Sequence, residues 1–90
     1  MHEIARGEAR GSVALPPFDK DECVRATFAS VAPVRMALVE RKGAKLVSSA
    51  LVADGFLGPR GPVCFHPDAQ PTLQAEGDAG SVRYVIWGAP

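Results

Sequence analysis

The sequence lacks both a charge excess and a long apolar run. Its ten basic and ten acidic residues cancel, and its longest basic cluster, Arg41-Lys42 with Lys45, is too short for a nucleic-acid-binding surface. No apolar stretch approaches the roughly 20 residues that a membrane-spanning helix needs. We therefore predict no nucleic-acid partner, no membrane span, and a single domain over residues 1–90.

Motifs for cofactors, metals and phosphates are also missing. The chain contains no G-x-G-x-x-G, GK[ST] or G-x-S-x-G pattern. A structural zinc site needs four ligands, usually in closely spaced pairs, whereas this chain has two cysteines far apart and two histidines. The sequence predicts no cofactor and no metal.

Glycine and proline are frequent, with nine and eight residues spread along the chain, and they are typical of turns between short elements. Residues 23–30 alternate apolar and polar side chains, and residues 81–87 are rich in β-branched and aromatic residues, so both segments are predicted to be strands. Residues 12–15 and 71–76 are further strand candidates. We expect the strand at 71–76 to form a hairpin with the one at 81–87.

Residues 33–54 allow two interpretations. As strands, Val34, Met36 and Leu38 lie on one face, their neighbours Arg35, Ala37 and Val39 lie on the other, and a turn at 41–45 joins two strands. As helices, two short segments end at Gly43 and Gly55, and apolar residues in the second recur at helical spacing. The strands on either side favour the first interpretation.

Seven or so short strands separated by turns predict an all-β fold, an antiparallel β-sandwich or jelly-roll-like single domain. The alternative is an α+β fold with two short helices between residues 33 and 54. Residues 1–11 are a possible edge strand or arm. We expect the following side chains to be buried: Val24, Phe28, Leu38, Leu73, Val85 and Trp87. For the last strand the opposite face, Val82, Tyr84 and Ile86, is nearly as apolar.

The two cysteines allow two chemical interpretations. Cys23 and Cys64 each open a predicted strand, and a disulfide between them fits a small β-rich domain in an oxidising compartment. Alternatively, Cys64 is a nucleophile and His66, two positions away, is its base. The chain offers no oxyanion loop beside Cys64, so the disulfide is favoured.

Polar and aromatic residues on the predicted strands suggest a binding face. The arginines occupy outward positions, where they could meet a carboxylate or phosphate, and the aromatic pair could stack against a sugar. The candidate residues are Arg25, Arg35, Arg83, Tyr84 and Trp87.

The segments "ECVRATFAS", "APVRMALVERKGAKLV", "GPVCF" and "SVRYVIWGAP" together resemble small β-sandwich modules of secreted bacterial proteins, of the prepeptidase C-terminal-like kind. The resemblance implies a non-catalytic accessory domain of the cell envelope or extracellular space. Such a domain would bind a protein partner or a glycan, or self-associate through a sheet edge. A very small cysteine-dependent hydrolase using Cys64 and His66 is the alternative function.

Overall fold

A computed structural model describes residues 2–40, 42–58, 61–77 and 80–88. Its strands, in chain order, are β1 (His2–Ala9), β2 (Ser12–Ala14), β3 (Glu22–Val39), β4 (Lys45–Ser48), β5 (Val52–Leu57), β6 (Val63–Phe65), β7 (Thr72–Glu76) and β8 (Val82–Gly88). A 3-10 turn, Pro67–Ala69, precedes β7. The paired strands are antiparallel, which confirms the all-β prediction. None of the described residues forms a helix that could cross a membrane.

The 18-residue strand β3 organises the sheet. Strands β7 and β8 follow one another along one side of it, and β4, β5 and β6 follow one another along the other. Strand β2 pairs with β7, and β1 pairs with β8. All eight strands therefore belong to one curled sheet rather than to two separate ones.

The sheet divides into two halves where the register of β3 shifts between Ala29 and Val34. The first half-sheet contains β1, β8, residues 22–29 of β3, β5 and β6. The second half-sheet contains β2, β7, residues 34–39 of β3 and β4. Among the described residues, β1 pairs only with β8, whereas β5 and β6 pair only with β3, so β1 forms one edge of the first half-sheet and β5 and β6 form the other.

One hydrophobic cluster draws side chains from both half-sheets. The predicted burial of four residues is confirmed: Val24, Phe28, Leu38 and Leu73 are each at most 5% exposed. The prediction for Val85 and Trp87 is wrong, because β8 turns its other face inward and buries Val82 and Ile86 completely. Ile86 lies directly opposite the buried Ala26 of β3, and opposite residues of paired strands point to the same side.

Two further expectations are decided by β3. The described residues between 33 and 54 contain no helix, because they complete β3 and supply its partners β4 and β5. The predicted hairpin between residues 71–76 and 81–87 is wrong: among the described residues, β7 and β8 both pair with β3 instead of with each other. After β7 the chain continues in the same direction along β3 and forms β8, instead of reversing to form a hairpin.

Candidate functional site

Residues of four strands form straight rows across the first half-sheet. Moving from β1 through β8 and β3 to β5, the rows are Arg6–Val85–Thr27–Phe56, Gly7–Tyr84–Phe28–Gly55 and Glu8–Arg83–Ala29–Asp54. The middle row contains Phe28, which belongs to the core, and Tyr84, which packs against it. Because side chains alternate along a strand, the two outer rows point to solvent.

These twelve residues line a depression of about 690 Å³. Its centre is shallow because Thr27, Ala29 and Val85 are small. Larger side chains stand along both edges of the half-sheet, among them Arg6 on β1 and Phe56 on β5. The volume falls within the range of about 300–1,000 Å³ that is usual for ligand sites.

A second depression of about 500 Å³ adjoins the first and shares Thr27 and Phe56 with it. Its other lining residues are Arg25 and Trp87, which lie directly opposite each other on β3 and β8. The indole Nε1–H of Trp87 donates a hydrogen bond of 3.1 Å to Thr27 Oγ1, which fixes the ring at the wall. We call the two joined depressions the outer groove.

Arg25 has an unusual environment within the outer groove. Its Nε atom is buried and has no hydrogen-bond partner among the described residues. No described carboxylate lies within salt-bridge distance of Arg25 or Arg83. A buried donor without an acceptor is destabilising, and the Arg25 side chain lines the groove without a described carboxylate to neutralise its charge.

Arg6, on the opposite wall, is already neutralised. Its guanidinium forms an ion pair and hydrogen bonds with the Glu3 carboxylate on the same strand. The hydrogen bond from Arg6 lowers the pKa of Glu3 and raises the pKa of Arg6. The pair is exposed, and exposed ion pairs are weak, so a stronger partner can displace Glu3.

Two aromatic side chains beneath the groove pack against glycines of the edge strands. A Cβ atom added to Gly55 would lie 3.3 Å from Phe28 Cζ, and one added to Gly7 would lie 3.1 Å from Tyr84 Oη. Each aromatic ring thus covers a glycine of the neighbouring edge strand, an arrangement that helps to fix strand register. A side chain at either glycine would displace the ring.

The structure brings together three of the five residues predicted for the binding face. Arg25, Arg83 and Trp87 lie on the solvent side of the first half-sheet. Tyr84 points to the core side, and Arg35 lies in the second half-sheet opposite Glu76.

Phe56, which is 50% exposed in the outer groove on the edge strand β5, was not predicted from the sequence as a site residue. Thr27 and Asp54 were not predicted as site residues either. No strand was predicted over Phe56, so nothing in the sequence indicated that its side chain points into a groove.

The Cys64 segment lies outside the outer groove. Cys23 and Cys64 are directly opposite on β3 and β6, and their Sγ atoms form a disulfide. In this form Cys64 has no thiol, so the Cys64–His66 nucleophile pair lacks its nucleophile. His66 Nδ1 instead lies 3.0 Å from Asp21 Oδ1. Among the described residues no group of three or more potential ligands could hold a metal ion.

The His66–Asp21 contact gives a pH prediction. The hydrogen bond to Asp21, with its negative charge, raises the pKa of His66 above the ordinary 6.5. Because the folded-state pKa is raised, the stabilisation is present below the unfolded-state pKa and is lost as pH rises through the folded-state pKa. We expect Asp21→Asn to return the pKa of His66 toward 6.5, as measured by NMR titration of the imidazole. An unchanged pKa would show that the contact is absent in solution.

Comparisons with protein-family models, curated proteins and solved structures find no match for the chain. The geometry of the outer groove is therefore the basis for inferring a function. That geometry combines a small-residue floor, one half-exposed aromatic side chain and an arginine without a partner among the described residues.

Proposed function

We propose that the chain is a non-catalytic binding module that holds a peptide segment of a protein partner in the outer groove. The observation that carries the proposal is Arg25, a cation without a described partner that lines the groove beside Trp87 and Phe56. Arginine and aromatic residues are the types that dominate binding energy at protein interfaces. The proposed occupant presents a carboxylate to Arg25 and an apolar side chain to Phe56.

The remaining lining residues support a peptide rather than a simple anion. Arg83 and Asp54 place opposite charges on the same row, so the groove offers donors and acceptors at separate points. A peptide can match such a mixed pattern, with apolar groups against Thr27 and Val85. A glycan platform on Trp87 is less well supported, because that ring is partly buried and its Nε1–H is bonded to Thr27.

The proposed location is outside the reducing cytosol, in the periplasm, cell envelope or extracellular space. The Cys23–Cys64 disulfide supports this location, because disulfides persist in oxidising compartments. The resemblance to secreted prepeptidase C-terminal-like modules is consistent with an accessory role there.

The test is selection of random peptides displayed on phage against the wild-type chain. We expect the selected peptides to place an acidic residue beside an aromatic or aliphatic one. The single tryptophan, Trp87, lines the groove and reports binding by a change in fluorescence. Arg25→Gln is expected to weaken binding by about tenfold or more, and Phe56→Ser by a similar factor.

The matched control is Arg35→Gln, which removes an exposed arginine from the same strand in the second half-sheet. It should leave the affinity unchanged. The proposal fails if Arg35→Gln and Arg25→Gln weaken binding equally, if selection returns no binder, or if a glycan array is bound in place of peptides.

A further inference from the structure

Strand β1 presents a short regular edge. Its residues 5–9 pair with residues 82–86 of β8 without interruption, whereas a bulge breaks the register between Glu3 and Ala5. The edge strand of a sheet carries backbone N–H and C=O groups that can pair with another strand. Bulges blunt such edges, so the stretch open to pairing is residues 5–9.

The charges on this stretch complement themselves. Arg6 and Glu8 both point to the solvent side, one residue before and one residue after Gly7. If two copies of β1 run antiparallel and are related by a two-fold axis through Gly7, Arg6 of each copy lies opposite Glu8 of the other. Ala5 of each copy then lies opposite Ala9 of the other, so no like charges lie directly opposite each other.

We propose that the chain forms a symmetric dimer by antiparallel pairing of β1 with β1 of a second copy, centred on Gly7. Centring on Arg6 or on Glu8 would place like charges opposite each other, which is destabilising. Centring on Ala5 would carry the new pairing through the bulge before that residue. The register centred on Gly7 uses only residues 5–9, which pair regularly with β8, and it places each Arg6 opposite a Glu8.

The opposite edge of the first half-sheet does not offer this complementarity. The only charged residue of β5 is Asp54, so self-pairing either brings two aspartates together or leaves each without a cation. The pairing of β5 with β3 is also irregular between Ala29 and Val34. The occupant that fits the charges of β1 is therefore β1 itself, because isologous interfaces require self-complementary surfaces.

The dimer would join the two outer grooves. Residues 6–8 form the β1 wall of each groove, and in the proposed pairing both walls meet at the two-fold axis. The first half-sheets would then continue into each other through β1. This dimer does not depend on what the groove binds.

The test is sedimentation velocity on the full chain over a range of concentrations. We expect the wild type to show a concentration-dependent dimer. Arg6→Glu and Glu8→Arg should each weaken dimerisation by about tenfold or more, since each creates like-charge contacts twice by symmetry. Glu8→Arg leaves the Glu3–Arg6 pair intact, and circular dichroism checks that each variant is folded.

Two further samples test whether the two copies of β1 pair in the register centred on Gly7. The double exchange Arg6→Glu with Glu8→Arg restores opposite charges and should dimerise like the wild type. An equimolar mixture of the two single variants should form a heterodimer, because each supplies the charges that the other lacks. Lys42→Glu, a reversal of an exposed charge away from β1, should have no effect.

A wild type that stays monomeric at all concentrations would overturn the proposal. So would a dimer that persists in both single variants. If that dimer is lost in Phe56→Ser, the β5 edge is the interface instead of β1.

Discussion

Replacement of both Cys23 and Cys64 by serine is expected to lower the free energy of unfolding by about 4 kcal/mol. The disulfide closes a loop of 41 residues, and the chain-entropy model gives about that value for such a loop. It also joins the three-residue strand β6 to β3. Folded domains are stable by about 5–15 kcal/mol, so the loss is a large share. Urea unfolding followed by tryptophan fluorescence measures it.

The wild-type chain in the presence of a reductant is the matched control, and it should unfold like the double variant. Alkylation followed by intact-mass measurement should find no free thiol without reductant. Two alkylated cysteines in the untreated protein would contradict the structure, and so would a double variant as stable as the wild type.

Leu38→Ala is expected to cost about 3 kcal/mol, within the range of about 2–5 kcal/mol for deleting a buried leucine side chain. Leu38 is fully buried and lies in an apolar row across the second half-sheet, opposite Leu73 on one side and Val47 on the other. Removing its side chain leaves a cavity lined by rigid strands, which cannot collapse to fill it.

Leu46→Ala is the matched control, because Leu46 belongs to the neighbouring strand β4 and is 43% exposed. Its effect on the free energy of unfolding should stay within about 0.5 kcal/mol, as is usual for surface substitutions. Equal destabilisation by the two variants would show that Leu38 is not in the core.

Alternation of side chains within short segments predicted most of the strands. It did not predict how the strands pair, because pairing depends on contacts between distant parts of the chain. Alternation in residues 23–30 was enough to place Val24 and Phe28 in the core. It could not show that β3 continues past Pro33, because proline lacks an N–H for the sheet and usually ends a central strand. Pro33 is accommodated where the register of β3 shifts and β3 bends between the half-sheets.

The site was harder to predict than the fold. Arg25 was a candidate from its outward position and Trp87 from its aromatic ring, but their direct opposition depends on the register between β3 and β8. Phe56 enters the site only because β5 pairs with Thr27, a contact between distant parts of the chain. The wrong face of β8 was predicted to be buried because both of its faces are apolar, and only its pairing beside β3 shows which face points inward.

The central claim is that the outer groove of the first half-sheet is the binding surface. The most direct test is an NMR titration of the ¹⁵N-labelled chain with a peptide returned by selection. We predict that amide shift changes concentrate on residues 25–29, 54–56 and 83–87, while those of β2, β4 and β7 stay unchanged. Changes centred on the second half-sheet, around Arg35 and β7, would contradict the claim.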